Sequence, residues 1–164
     1  MGATPAVTAL ERAKIAHSVH RYPHDKNSNA YGEEAVAALT TTLAVSADQV
    51  FKTLVIDLGG PLAVAVVPVP RRLSLKAAAA ALSAVAGATK AAMADEKSVT
   101  RSTGYVFGGV SPIGQRTPLP TVVDRSALNW PTVFCSAGRR GLEVELAPDD
   151  LIAVTEAVVA DIAV

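Results

Sequence analysis

The chain has 164 residues, half of them apolar, 18% charged and 4% aromatic. That composition excludes intrinsic disorder and supplies core for one ordinary domain, filled mainly by small alanine and valine side chains. Fifteen basic residues balance fifteen acidic ones, so the formal net charge is zero; bulk charge cannot carry nucleic-acid affinity, which comes from neutralising phosphates.

No stretch reads as one of the roughly 20-residue apolar segments that span a membrane. Residues 62–69 are few and include a proline, 77–88 are interrupted by Ser83 and Gly87, and 151–164 carry Thr155, Glu156 and Asp161. No membrane partner is expected. Met1–Pro5 lacks the basic-then-apolar order of a secretory signal. The single cysteine excludes an internal disulfide, and a reducing cytoplasm fits it.

Thr4 and Pro5 form an N-cap followed by proline at the first helical position, and Val7, Leu10 and Lys14 continue at helical spacing, which predicts a helix over 5–15. Residues 18–22 read as extended and 24–31 as a polar loop. A helix over 33–43 carries acidic residues at its positive end. Ser46–Gln49 is a capping-box pattern for one short turn. The apolar, β-branched runs 52–58 and 62–67, split by Gly59-Gly60-Pro61, predict a hairpin, and their unbroken hydrophobicity predicts cover on both faces.

Ser74 caps an alanine-rich helix that ends near Gly87, and Asp95 caps a shorter one ending at Gly104. Strands are expected over 106–110, 121–123, 132–136 and 142–146. Pro148-Asp149-Asp150 opens a last helix, with Leu151, Ile152, Val154, Val158, Val159 and Ile162 available for packing. With no repeat, low-complexity tail or linker, residues 1–164 read as a single domain, mixed α/β or α+β rather than a regular βαβ alternation.

The segment Gly104–Gly114 stands out, with four glycines and a proline among apolar residues. It is either a tight hairpin or a loop that offers backbone N–H groups to a carboxylate, phosphate or developing oxyanion. Elsewhere, Lys52 opens an apolar strand, so its ammonium sits at the solvent end or faces a cleft. Tyr22, between Arg21 and Pro23, either packs or exposes its hydroxyl. Glu143 points opposite to Leu142 and Val144, to solvent or to a site. Ser136 precedes Ala137-Gly138, as turn chemistry or as a pocket-rim hydroxyl. Cys135 lies inside an apolar run and reads as a small core residue. His17, His20 and His24 fit no zinc-ligand spacing, and no metal is expected. Arg71, Arg72 and Lys76 form one small basic cluster, and Arg139 and Arg140 another.

Lys52-Thr53-Leu54, Arg101–Tyr105 leading into the glycine loop, Thr121–Asp124 and Ser136–Leu146, in this order, resemble the YbaK/EbsC family of aminoacyl-tRNA deacylases, related to the editing insertion domain of prolyl-tRNA synthetase. The resemblance runs from Thr4 almost to the C-terminus. It implies a compact mixed sheet curved into a partial barrel and flanked by helices. It also implies a cytoplasmic hydrolase without a cofactor, acting on the 3′ acceptor end of aminoacylated tRNA, Cys-tRNA(Pro) above all, with prolyl-tRNA synthetase as a plausible recruiter. By the same resemblance Lys52, Tyr22 and Glu143 are the catalytic candidates. Thr53, Gly108, Gly109, Ser111, Pro112 and Ser136 are the substrate-binding ones. The family position matched by Glu143 is usually aspartate, so the carboxylate here reaches one methylene further. The route implied is attack by the substrate's own thiol. An editing domain for another amino acid such as alanine, or a non-catalytic aminoacyl-tRNA-binding module, are the alternatives.

Overall fold

The computed structural model describes residues 3–24, 30–87 and 90–164. The polar loop expected over 24–31 therefore falls mostly outside the described residues, and Tyr31 belongs to the next helix.

Helix α1 (Pro5–Arg12) is capped by Thr4, whose hydroxyl accepts the Val7 N–H at 3.2 Å and donates to the Ala137 carbonyl. It is shorter than the sequence suggests, because Lys14 takes a left-handed φ of 58°. Strand β1 (His17–Arg21) follows, then α2 (Tyr31–Thr42) and a single 3-10 turn (Ala47–Gln49). The turn has the expected reciprocal box, with Ser46 N–H on Gln49 Oε1 and Asp48 N–H on Ser46 Oγ.

Strands β2 (Phe51–Asp57) and β3 (Leu62–Pro68) form the predicted hairpin. Its turn is closed by Asp57 Oδ1, which accepts the N–H groups of Gly59 and Gly60 at 2.8 and 2.7 Å. Next come α3 (Leu75–Ala86), the two-residue β4 (Ala92–Met93) and α4 (Glu96–Thr103). Gly87 and Gly104 end α3 and α4 in left-handed geometry, where glycine carries no Cβ penalty. Strand β5 (Thr121–Asp124) runs into a second 3-10 segment (Arg125–Asn129), followed by β6 (Val133–Arg139), β7 (Leu142–Leu146), α5 (Pro148–Thr155) and β8 (Val158–Ala160).

Two expectations fail. Residues 106–110 form no strand; the Gly109 N–H closes a turn on the Val106 carbonyl at 3.0 Å, with Gly108 at φ 91°. Two adjacent glycines, Gly108 and Gly109, weaken a ladder in this stretch, and the loop is instead pinned by Tyr105, whose hydroxyl donates to the Ile113 carbonyl at 2.6 Å. The last helix stops at Thr155, because Glu156 turns left-handed at φ 52° and Val158–Ala160 pairs beside β5. Asp124 Oδ1 fixes that return by accepting the N–H groups of Ile162 and Ala163 at 2.9 and 3.0 Å.

The strands fall into two sheets, β1-β7-β6 and β4-β2-β3-β5-β8. The first is antiparallel. The second is mixed, since β3, β5 and β8 run parallel. In β3 the two faces go to different cores, as the unbroken apolar run requires. Val64 and Val66 pack with α1, β6 and β7, while Ala63, Ala65 and Val67 pack with Ala78 and Leu82 of α3. A parallel bridge from Val50 to Phe134 links the two sheets, which also pack together through the main core. On the side of β2 away from β3, β4 pairs only with Ile56 and Asp57. A gap is left beside residues 51–54.

Candidate functional site

That gap is a cavity of about 220 Å³. Its floor is β2, with Lys52, Thr53, Leu54 and Val55. One wall is the start of α2, with Tyr31 and Gly32. Phe107, Gly108 and Val110 of the glycine loop, with Met93 of β4, form another. Ser136, Arg139 and Glu143 of the small sheet face them, and Tyr22 completes the lining.

Six of the nine site residues expected from sequence thus meet at one cavity: Tyr22, Lys52, Thr53, Gly108, Ser136 and Glu143. They come from five separate segments. The other three do not line it. Gly109 is buried behind its turn, where a Cβ would lie 2.9 Å from the Arg140 backbone nitrogen, and its N–H is already spent on Val106. Ser111 is fully buried and its Oγ accepts the Ile113 N–H at 3.2 Å, so it shapes the loop. Pro112 is buried beside it.

Strand geometry explains how Glu143 reaches the cavity. Leu142, Val144 and Leu146 point into the main core, so the alternate residues of β7 turn to the other face. Register places Glu143 between His20 of β1 and Ser136 of β6, on their shared face. Its side chain is almost wholly buried and Oε2 has no hydrogen-bond partner among the described residues. Burial raises its carboxyl from 4.5 to about 8. A polar atom left bare in this way is costly unless something binds it. Thr53 Oγ1, on the cavity floor, is another such atom among the described residues. The Tyr22 phenol is pushed up by burial and then by the nearby Glu143 charge. Lys52 makes no side-chain hydrogen bond or ion pair among the described residues, which leaves its ammonium available.

Cys135 faces away from this cavity, into the main core, and is completely buried. Its thiol is held far above the ordinary range by burial, with the Glu143 charge adding to it. A thiol that cannot ionise is no nucleophile. The three histidines also have local tasks. His17 Nδ1 meets the Ile15 carbonyl at 2.7 Å, and His20 Nε2 meets Glu145 Oε1 at 2.9 Å. His24 stands against Gly141.

No local pattern marks the cluster that holds the wall in place. Arg140 forks onto Glu34, with Nε to Oε1 at 3.2 Å and Nη2 to Oε2 at 3.4 Å, and its guanidinium lies 4.6 Å from the centroid of the Tyr31 ring. The same ring abuts Gly108, where a Cβ would come within 3.0 Å of it. Arg139-Arg140 was visible only as a basic pair, and a partner 106 residues away leaves no local trace. Tyr31 fell in an expected loop.

Comparison with known proteins puts this geometry in context. The sequence pattern described as the aminoacyl-tRNA editing domain matches residues 32–154. A protein of Enterococcus faecalis, provisionally assigned as the Cys-tRNA(Pro)/Cys-tRNA(Cys) deacylase EbsC, is 34% identical over 147 residues, covering 87% of each chain. A solved structure of a protein provisionally assigned as a trans-editing enzyme for prolyl-tRNA synthetase superposes with a TM-score of 0.79 at 26% identity, covering 98% of this chain and 95% of the other. A scaffold used for computational epitope grafting gives a TM-score of 0.80 at 27% identity, with the same coverage.

Proposed function

Because this chain belongs to the aminoacyl-tRNA editing domain family, we propose that it hydrolyses the ester of misacylated tRNA, Cys-tRNA(Pro) first among its substrates. Residues 1–164 act as a single editing domain. The two sheets, joined at Val50 and Phe134, serve as walls of a partial barrel whose open side is the cavity.

The supporting observation is the pairing of an unpartnered buried carboxyl oxygen of Glu143 with an available ammonium at Lys52 in one small cavity. An aminoacyl ester presents complementary groups: an α-ammonium and an ester carbonyl beside a phosphodiester backbone. Glu143 and the Tyr22 hydroxyl orient the α-amino group. Lys52 draws the carbonyl oxygen or the adjacent phosphate, and the Gly108 N–H adds a second dipole where negative charge develops. The Ser136 and Thr53 hydroxyls border the aminoacyl side chain.

The route that uses these parts needs no protein nucleophile. The substrate thiol, as thiolate, attacks its own carbonyl carbon. The carbon–sulfur bond forms, the ester carbon–oxygen bond breaks, and the tRNA 3′ oxygen leaves and takes up a proton. Water then opens the cyclic thioester to free cysteine. Holding sulfur against the carbonyl in an excluded site supplies the intramolecular advantage. A chain of zero net charge gains little from the tRNA body, which favours delivery by a partner such as prolyl-tRNA synthetase, in the cytoplasm.

The test is single-turnover deacylation of Cys-tRNA(Pro), with Ala-tRNA(Pro) and S-methylcysteinyl-tRNA(Pro) in parallel. Wild type releases cysteine, and Lys52→Ala is slower by roughly 10²-fold, as for loss of one oxyanion-stabilising group. The S-methylated substrate resists. Equal rates for the cysteinyl and S-methylated substrates would remove the thiol route. Release of alanine alone would reassign the substrate, and binding without turnover would leave a binding module.

A further inference from the structure

We propose that the exposed apolar rim of the cavity, Phe107 with Met93, is the platform on which the base of the tRNA's terminal nucleotide stacks while the ester occupies the cavity. This rests on the function proposed above and adds the nucleoside half of the substrate to it.

Phe107 is the starting point. The chain has three phenylalanines. Phe51 and Phe134 are buried at 2% and 1% exposure, whereas Phe107 is 48% exposed. Met93, which lines the same cavity, is 52% exposed, and Val106, the residue before Phe107 in the chain, is 65% exposed. Phe107 and Met93 both line the cavity, so the apolar surface is continuous from the inside to the mouth. In a protein with so few aromatics, a ring left half in water at the entrance of its site needs a reason.

Size supplies the occupant. At about 220 Å³ the cavity lies below the roughly 300 Å³ at which small-molecule pockets begin. It takes an aminoacyl group and leaves the ribose and base outside. The ester joins the aminoacyl group to the ribose, and the ribose carries the base a short way further out, within reach of the rim. The rim offers a ring face and a polarisable thioether, which suit the flat face of a purine.

The ring is also held ready. Phe107 sits between Val106 and Gly108 in the turn closed by Gly109 N–H on the Val106 carbonyl, and Gly108 is wedged against Tyr31. Tyr31 is itself covered by the Arg140 guanidinium. A platform fixed by its own backbone loses little freedom when a base lands on it.

The experiment crosses a change in the ligand with a change in the protein. The probes are a non-hydrolysable 3′-cysteinylamino-3′-deoxyadenosine and the same amide on a 3-amino-3-deoxyribose methyl glycoside, which has no base. Affinities of both are measured by calorimetry for wild type, Phe107→Ala and Phe107→Tyr. Wild type is expected to prefer the base-bearing probe by about tenfold, as for one base–aromatic stack. Phe107→Ala brings that ratio to near one, and Phe107→Tyr restores it. An unchanged ratio in Phe107→Ala overturns the proposal. So does equal weakening of both probes, which would make the ring a cavity wall. A ratio near one in a wild type that binds both probes overturns the platform alone. If that result comes with self-association relieved by Phe107→Ala, the rim belongs to a second copy of the chain. Failure of both probes to bind wild type overturns the underlying function as well.

Discussion

Replacing Glu143 by glutamine should make the protein more stable at pH 8, not less. The carboxyl is almost wholly buried and one of its oxygens has no partner. Burial lifts it from 4.5 to about 8, so the folded state holds a proton that the unfolded state has already released over that interval. With more protons bound to the folded chain, stability falls as pH rises. The contribution is fully present below pH 4.5 and is lost by the time pH passes about 8. At about 1.4 kcal/mol per pH unit, the interval amounts to at most about 5 kcal/mol. Glutamine keeps the shape and never ionises, so the variant lacks this slope. Urea unfolding of both proteins at half-unit steps from pH 4.5 to 8.5 gives the comparison. Among the described residues the other shifted carboxylates, Asp95 and Asp124, are lowered rather than raised, so they act at more acidic pH and cancel between the two proteins. The wild type minus variant difference should fall steadily across the range. Parallel curves would show that Glu143 titrates as an ordinary surface acid and would refute the account of its environment.

Other expectations follow from the loop and the core. Gly108→Ala forces a Cβ onto φ 91° and into the Tyr31 ring at 3.0 Å. It should cost roughly 1–3 kcal/mol by thermal unfolding and reduce Cys-tRNA(Pro) deacylation, because the loop shifts with the wall it forms. Gly114→Ala brings a Cβ to 2.5 Å from the Pro5 carbonyl oxygen at φ 68°, with no flexible side chain to yield. A loss of about 3 kcal/mol or more is expected by the same measurement. Cys135→Ala removes only a core sulfur and should lower stability by about 1–2 kcal/mol while deacylation persists. Abolished turnover in a folded Cys135→Ala protein would restore a thiol nucleophile to consideration.

Elements with local chemistry were legible in the sequence. The Thr4-Pro5 start, the Ser46–Gln49 box, the Ser74 and Asp95 caps and the Gly87 and Gly104 stops all sit at the expected ends of their helices. The Gly59-Gly60-Pro61 turn and the doubly covered β3 were equally plain. What escaped depended on long-range pairing. Val158–Ala160 is apolar and follows a helix, and only the distant edge of β5 makes it a strand. Residues 106–110 carry strand-like side chains, but their glycines serve a turn that Tyr105 and Tyr31 hold from outside. At the site, Lys52, Tyr22 and Glu143 came from a family resemblance. Composition alone left each of them open between solvent and cleft. Ser111 lies off the cavity for a physical reason: a hydroxyl in a glycine loop bonds its own backbone as readily as a ligand.

The small sheet sets an order on how the molecule comes into being. Its central strand takes one neighbour from the adjacent hairpin and the other from near the start of the chain, with His20 and Glu145 meeting across 125 residues. Pairing at that sequence distance is slow, because the loop must close before any contact rewards it. A ribosome must therefore deliver most of the polypeptide before Glu143 can be shut away from water. The pocket cannot close until β7 has met β1, and a chain stalled before residue 143 lacks its buried carboxyl.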